Sequence, residues 1–127
     1  ARALERTAWR FYAGQGRWSS DVRDAVVIMN GAGSVHWNEY LQKFVVTSVS
    51  AFGELIAMRT SDRPEGPWSA PEVIHSALGS MSDPGASGAH AIHPELSREG
   101  GRIQYLTYAR PMGFFDHEGR LVEVVFK

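Results

Sequence analysis

The sequence predicts an all-β protein made of four-stranded antiparallel sheets, the blades of a β-propeller. Three observations carry this. Short runs of alternating or β-branched residues recur along the chain, each stopped by Gly, Pro, Asn or Asp. One stretch, 34–77, holds four such runs in succession. The stretches on either side read as partial copies of it.

The first residues, 1–8, read as a turn of helix or a frayed lead-in. Residues 8–14, with Trp9, Phe11 and Tyr12, alternate large with small or polar groups and end at Gly14-Gln15-Gly16, a strand and a turn. Residues 17–21 read as a polar connection. Residues 24–29 are β-branched and stop at Asn30-Gly31-Ala32-Gly33, a second strand. The complete unit follows, with strands at 34–38, 43–49, 55–60 and 71–75. In the run 43–49, Phe44, Val46 and Ser48 share one face and Val45, Thr47 and Val49 the other. Both faces are largely apolar, the signature of a sheet held between two neighbours. Gly66-Pro67-Trp68 closes the connection before the fourth strand, with Trp68 placed to cap the edge. Residues 78–88 are small and polar, a mobile loop. Strands at 90–96, 102–109 and 121–126 form the last unit, with a hairpin turn at 97–101 and a connection at 111–119.

The expected count is two strands, then four, then three. That divides the chain into the end of one blade (9–30), a complete blade (34–77) and a last blade (89–127), about two and a quarter blades in all where propellers have about four to eight. The open sheet faces then need neighbours. The expectation is a fragment of a larger propeller or a self-associating partial one, with a closed sandwich or split barrel of the same strands as the structural alternative.

Composition narrows the function classes. The chain has 127 residues, 13 basic and 14 acidic side chains and a formal charge of -1, with no basic run, so nucleic acid is not an expected partner. There is no cysteine, which excludes disulfides, thiolate metal sites and thiol nucleophiles. No apolar run is long enough to span a bilayer as a helix, so no membrane partner is expected. The first residues lack a signal-peptide pattern and an initiator Met, as in a chain that is processed, trimmed or the end of something longer. The four Trp, four Tyr and six Phe read first as strand core and second as stacking surfaces.

Four segments resemble a known family. They are Trp9 to Trp18 (WRFYAGQGRW), Ser34 to Asn38 followed by the strand at Lys43, Met58-Arg59-Thr60-Ser61 with Gly66-Pro67-Trp68-Ser69-Ala70-Pro71, and Ala91-Ile92-His93-Pro94-Glu95. They are similar, in the same order, to segments of the DUF4185-type five-bladed propellers, which are themselves similar to glycoside hydrolases of the arabinanase, fructosidase and furanosidase superfamily. The resemblance implies a carbohydrate-active propeller and an extracellular or periplasmic location. Two departures stand out. Gly31-Ala32-Gly33 occupies the place where the family has an acidic residue. The match also covers only C-terminal blades, whereas the related hydrolases draw their carboxylates from several blades.

The candidate site residues are His36, Arg59, His93 and Glu95. Glycoside hydrolysis uses two carboxyl groups facing one bond. Asp62, Glu65 and Glu72 lie on blade connections and read as solvated. Glu95 is better placed, near the end of an inner strand, as a ligand acceptor or a structural one. His90 and His93 are three apart on a strand, hence on opposite faces, so they do not share a metal ion. By resemblance to the related hydrolases, His93 is the candidate neighbour of an axial Ca2+; otherwise it is a half-buried histidine bonded to backbone. His36 has the same two readings. Arg59, mid-strand among apolar residues, needs partners: an acid of the next blade or a ligand. Ser61-Asp62 with Gly66-Pro67-Trp68 loosely resembles a structural Asp-box. No phosphate loop, His-Glu-x-x-His or nucleophile elbow occurs.

The function expected is carbohydrate binding by a glycoside-hydrolase-like propeller segment, catalytically incomplete unless missing blades are supplied. The alternatives are a non-enzymatic interaction module, mating with other blades or with copies of itself, and an inactive fragment of a larger propeller.

Overall fold

The computed structural model describes residues 5–49, 55–76, 90–112 and 116–127. The loop expected at 78–88 lies outside them. The described chain is all β apart from short 3-10 turns, with every strand pairing antiparallel. β1 (Phe11–Tyr12) pairs with β2 (Trp18–Ser19). β3 (Ala32–Asn38), β4 (Lys43–Val49), β5 (Leu55–Ser61) and β6 (Glu72–Ser76) form one sheet in chain order. β7 (His90–Ile92), β8 (Ile103–Pro111) and β9 (His117–Val125) form another, also in chain order. The sheets therefore hold two, four and three strands, and they do not close into a ring among the described residues.

The four- and three-stranded sheets pack face to face. Residues paired directly across strands share a side of the sheet. Val45, Ile56 and Met58 of the first sheet meet Ile92, Leu106 and Tyr108 of the second, flanked by Leu41, Ile74, Val122 and Phe126. Each such side chain, fully buried, stabilises the pair of sheets by about 1.5–3 kcal/mol.

The two ends of this interface are pinned differently. At one end a Cβ on Gly33 would lie 3.0 Å from His90 Nε2 and 3.1 Å from the Thr47 carbonyl oxygen, a tight approach that the absence of a side chain eases. At the other, Asn38 Nδ2 donates to the Gly101 carbonyl (2.9 Å), Asn38 Oδ1 accepts from Leu41 N (2.8 Å), and Tyr40 N donates to the Gly100 carbonyl (2.6 Å). β3 and β7 thus start at the same end and run side by side in one direction.

Several expectations need correction. No strand forms at 24–29. Asp21 accepts from Arg23 N (2.9 Å) and Ser19 Oγ donates to Asp24 (2.6 Å), which closes Val22–Asp24 into a 3-10 turn. The β-branched run beyond it makes one bond to the first pair, Val26 N to Tyr12 O (3.0 Å), and Val27 is 80% exposed. The second strand is instead Trp18–Ser19, within the expected polar connection. The strand expected at 90–96 ends at Ile92, because Pro94 has no N–H for a ladder and opens the turn Pro94–Leu96. The hairpin before the last strand is shorter than expected, since Pro111 already pairs with His117. Most of the tryptophans are not core: Trp9, Trp18 and Trp37 are each about half exposed.

Candidate functional site

The four candidate residues fall on three different surfaces. His36 pairs with Val45, which places it on the core side between the sheets. Its Nε2 lies 2.9 Å from the Gln104 amide nitrogen. With the amide donating, Nε2 accepts and the proton sits on Nδ1, which is buried without a hydrogen bond. Burial holds the imidazole pKa below its ordinary value, and the Gln104 bond offsets this in part.

Arg59 pairs with Val46, which places it on the opposite side of the same sheet. Its Nη1 donates to the Ser69 carbonyl (3.1 Å), and its Nε is buried without a hydrogen bond. The partner is a backbone carbonyl of the chain's own connection to β6.

His93 and Glu95 come together. The turn Pro94–Leu96 that ends β7 folds Glu95 back, so that His93 Nδ1 lies 2.9 Å from Glu95 Oε1. His93 Nε2 lies 2.8 Å from Thr107 Oγ1. Thr107 pairs with Ala91 and Leu121, and these lie on the face turned away from the core. The imidazole is mostly covered and the carboxylate mostly open, with side-chain exposures of 27% and 64%. Its own backbone amide first, and His93 second, hold the Glu95 carboxyl below its usual range.

Beside this chain of polar groups the far face is shallow and small-sided. Ala91, Ala109 and Gly119 floor an open concavity of about 290 Å³ that Thr107, His90 and Tyr108 border. No heavy atom lies within 4 Å of where a Gly119 Cβ would stand. The same face carries a second polar trio: Arg98 Nη2 donates to Tyr105 OH (2.5 Å) and to Glu123 Oε2 (2.8 Å), and Tyr105 OH donates to Glu123 (2.7 Å). Glu123 raises the Tyr105 phenol pKa. Glu123 is thus committed to these partners; of the first polar chain Thr107 borders the concavity, with His93 and then Glu95 bonded in series to it.

Thr107 and the Arg98–Tyr105–Glu123 trio were not singled out from sequence. The alternation of 102–109 does place Tyr105 and Thr107 on one face, and that was the available signal. Asp62 is paired to Lys43 at the surface (2.6 Å). Calcium takes about 6–8 oxygen ligands. Among the described residues no three His, Asp or Glu side chains cluster as metal ligands, and both His93 nitrogens are already bonded. The residues around His93 do not fit that ion.

These features define a class: antiparallel sheets stacked face to face, with a polar cluster at the end of one sheet's first strand. Residues 1–110 match the family described as "Domain of unknown function (DUF4185)", and the chain belongs to that family. No curated protein matches the chain.

Proposed function

We propose that this segment binds a polyhydroxylated ligand of the carbohydrate class on the far face of the three-stranded sheet, without hydrolysing it. The observation behind this is the Glu95–His93–Thr107 chain beside the concavity floored by Ala91, Ala109 and Gly119. Small floor residues let a sugar ring approach the backbone. Beside it the Glu95 carboxylate and the Thr107 hydroxyl, each held by one His93 nitrogen, have lone pairs left to accept from ring hydroxyls, and a bond to a charged group contributes about 1.5–3 kcal/mol. Hydrolysis calls for two carboxyl groups facing one bond, and Glu123 is occupied by Arg98 and Tyr105.

The parallel course of β3 and β7 supports reading the two larger sheets as successive blades of a propeller, with these as inner strands. The similarity of DUF4185-type propellers to glycoside hydrolases, to which the Ala91 to Glu95 segment contributes by its resemblance to the former, is in keeping with the same ligand class. The test is a screen of neutral oligosaccharides against the native chain, His93→Ala and Thr107→Val. Binding by the native chain that both variants lose supports the reading. Binding unchanged in both refutes it.

A second reading, an interaction module, has its own observation. On the far side of the four-stranded sheet Val35, Trp37 and Val73 are 38%, 43% and 56% exposed around the buried Val46 and Ala57, a partly open apolar face. A solution mass of one chain, 14.1 kDa, by light scattering would count against self-association.

A further inference from the structure

We propose that Thr107 is an acyl-accepting nucleophile that cleaves a small carboxylic ester laid in the far-face concavity, with His93 as its base and Glu95 as the positioning residue for that base. This goes beyond the binding reading, because the bond broken is an ester and no sugar is required.

The order of the three groups is the observation behind it. A hydroxyl on Nε2 and a carboxylate on Nδ1 of one imidazole is the arrangement by which a base draws a proton from an alcohol. Here Thr107 Oγ1 lies 2.8 Å from His93 Nε2, and Glu95 Oε1 lies 2.9 Å from His93 Nδ1. The polarity is set from the Glu95 end. Its carboxyl is held below the usual range, so near neutral pH it is ionised and only accepts. Nδ1 therefore carries the ring proton, Nε2 presents its lone pair, and the Thr107 hydroxyl donates to it.

Three separate features of the fold place these groups. Thr107 is held mid-strand, paired with Ala91 on one side and Leu121 on the other. His93 leaves β7 with its N–H on the Tyr105 carbonyl (2.9 Å), two residues along β8 from Thr107. The Pro94–Leu96 turn then brings Glu95 back to the other ring nitrogen. Thr107 also borders the concavity of about 290 Å³, whose floor of Ala91, Ala109 and Gly119 leaves room for an acetyl-sized group.

Water is the co-reactant. Thr107 Oγ1 bonds to the acyl carbon as its proton passes to His93 Nε2. The ester C–O bond then breaks, and the imidazolium returns that proton to the leaving oxygen. Water next attacks the acyl-threonine and gives a proton to Nε2, which hands it to Thr107 Oγ1 as the carboxylic acid departs. The Nδ1 proton stays hydrogen-bonded to Glu95 throughout.

The test is release of p-nitrophenolate from p-nitrophenyl acetate by the native chain, with peptide mapping of the acetylated protein by mass spectrometry. The probe has no sugar, so its outcome is independent of the oligosaccharide screen. The expected result is an acetyl group on Thr107 and release above the buffer rate. Thr107→Val, which keeps the side-chain shape, should abolish both, and Thr107→Ser should keep them. His93→Ala should slow release about 100-fold or more. In Glu95→Gln, ring-nitrogen NMR should show the proton shifted from Nδ1 toward Nε2, with slower release at an unchanged Tm; an unmoved proton would overturn the positioning role. Release no faster than in buffer overturns the proposal. So does release that persists in Thr107→Val, or acetylation at another residue, which assigns the reaction to a surface amine or to the imidazole itself.

Discussion

Asn38 bridges the two larger sheets, and its removal gives a sharp test of how they are held together. Its side chain is 1% exposed. Its amide nitrogen reaches the Gly101 carbonyl of the other sheet's approach, and its oxygen takes the Leu41 amide of its own turn. Asn38→Ala removes both bonds and strands one carbonyl and one N–H in a closed site. Each bond contributes about 0.5–1.5 kcal/mol net, and each stranded group costs about 1–3 kcal/mol, so the expected loss is about 3 kcal/mol. For a chain of this length that lowers Tm by about 12 °C. Urea unfolding followed by tryptophan fluorescence measures it. Lys43→Ala serves as the control, since it removes the exposed Lys43–Asp62 pair at the same turn, and its loss should stay within about 1 kcal/mol. A loss for Asn38→Ala no larger than the control's would refute the bridge.

Leu106 is 1% exposed at the centre of the interface, so Leu106→Ala should cost about 2–5 kcal/mol in the same assay, and Leu121→Ala on the open face should stay within about 0.5 kcal/mol. Gly101 has φ +94° and a Cβ there would meet Asn38 Nδ2 at 2.9 Å, so Gly101→Ala should destabilise by more than about 1 kcal/mol, read as a lower urea midpoint. His36 has a folded pKa below its ordinary 6.5 because of burial, so as pH falls the unfolded chain takes up that proton first. Its contribution is therefore complete above the unfolded value and shrinks as pH drops through the folded one. The urea midpoint should fall between pH 7.5 and 5.5, and His36→Gln should flatten part of that fall; an unchanged slope would contradict it.

Strand signals were legible where side chains alternate and a partner lies close in sequence. The strand at 43–49 and the one beginning at Leu55 fall where the sequence places them, because apolar and β-branched residues suit a central strand that is buried on both sides, as Val45 and Val46 are, and paired at both edges. Val26, Val27 and Ile28 carry the same local preference, yet they lack a strand to pair with once Asp21 and Ser19 close the turn before them. The break after Ile92 was written in Pro94, whose missing donor outweighs the extended pattern around it. Site residues were harder to read. Glu95 and His93 meet because a 3-10 turn brings two neighbours together, and Thr107 joins them only through the β7–β8 register. The separation of His36 from Arg59 follows from strand parity, since Val45 and Val46 take opposite sides. Asn38 and Gln104 gave no signal, because their roles depend on contacts across the interface to Gly101 and His36.

The most direct measurement is an NMR titration of the native chain with the neutral oligosaccharide selected by the screen, following the methyl groups of Ala91, Thr107 and Ala109 and the His93 ring. The account predicts saturable shifts confined to these groups and their neighbours on the far face. Shifts confined to other surfaces, or none at saturating ligand, would contradict it.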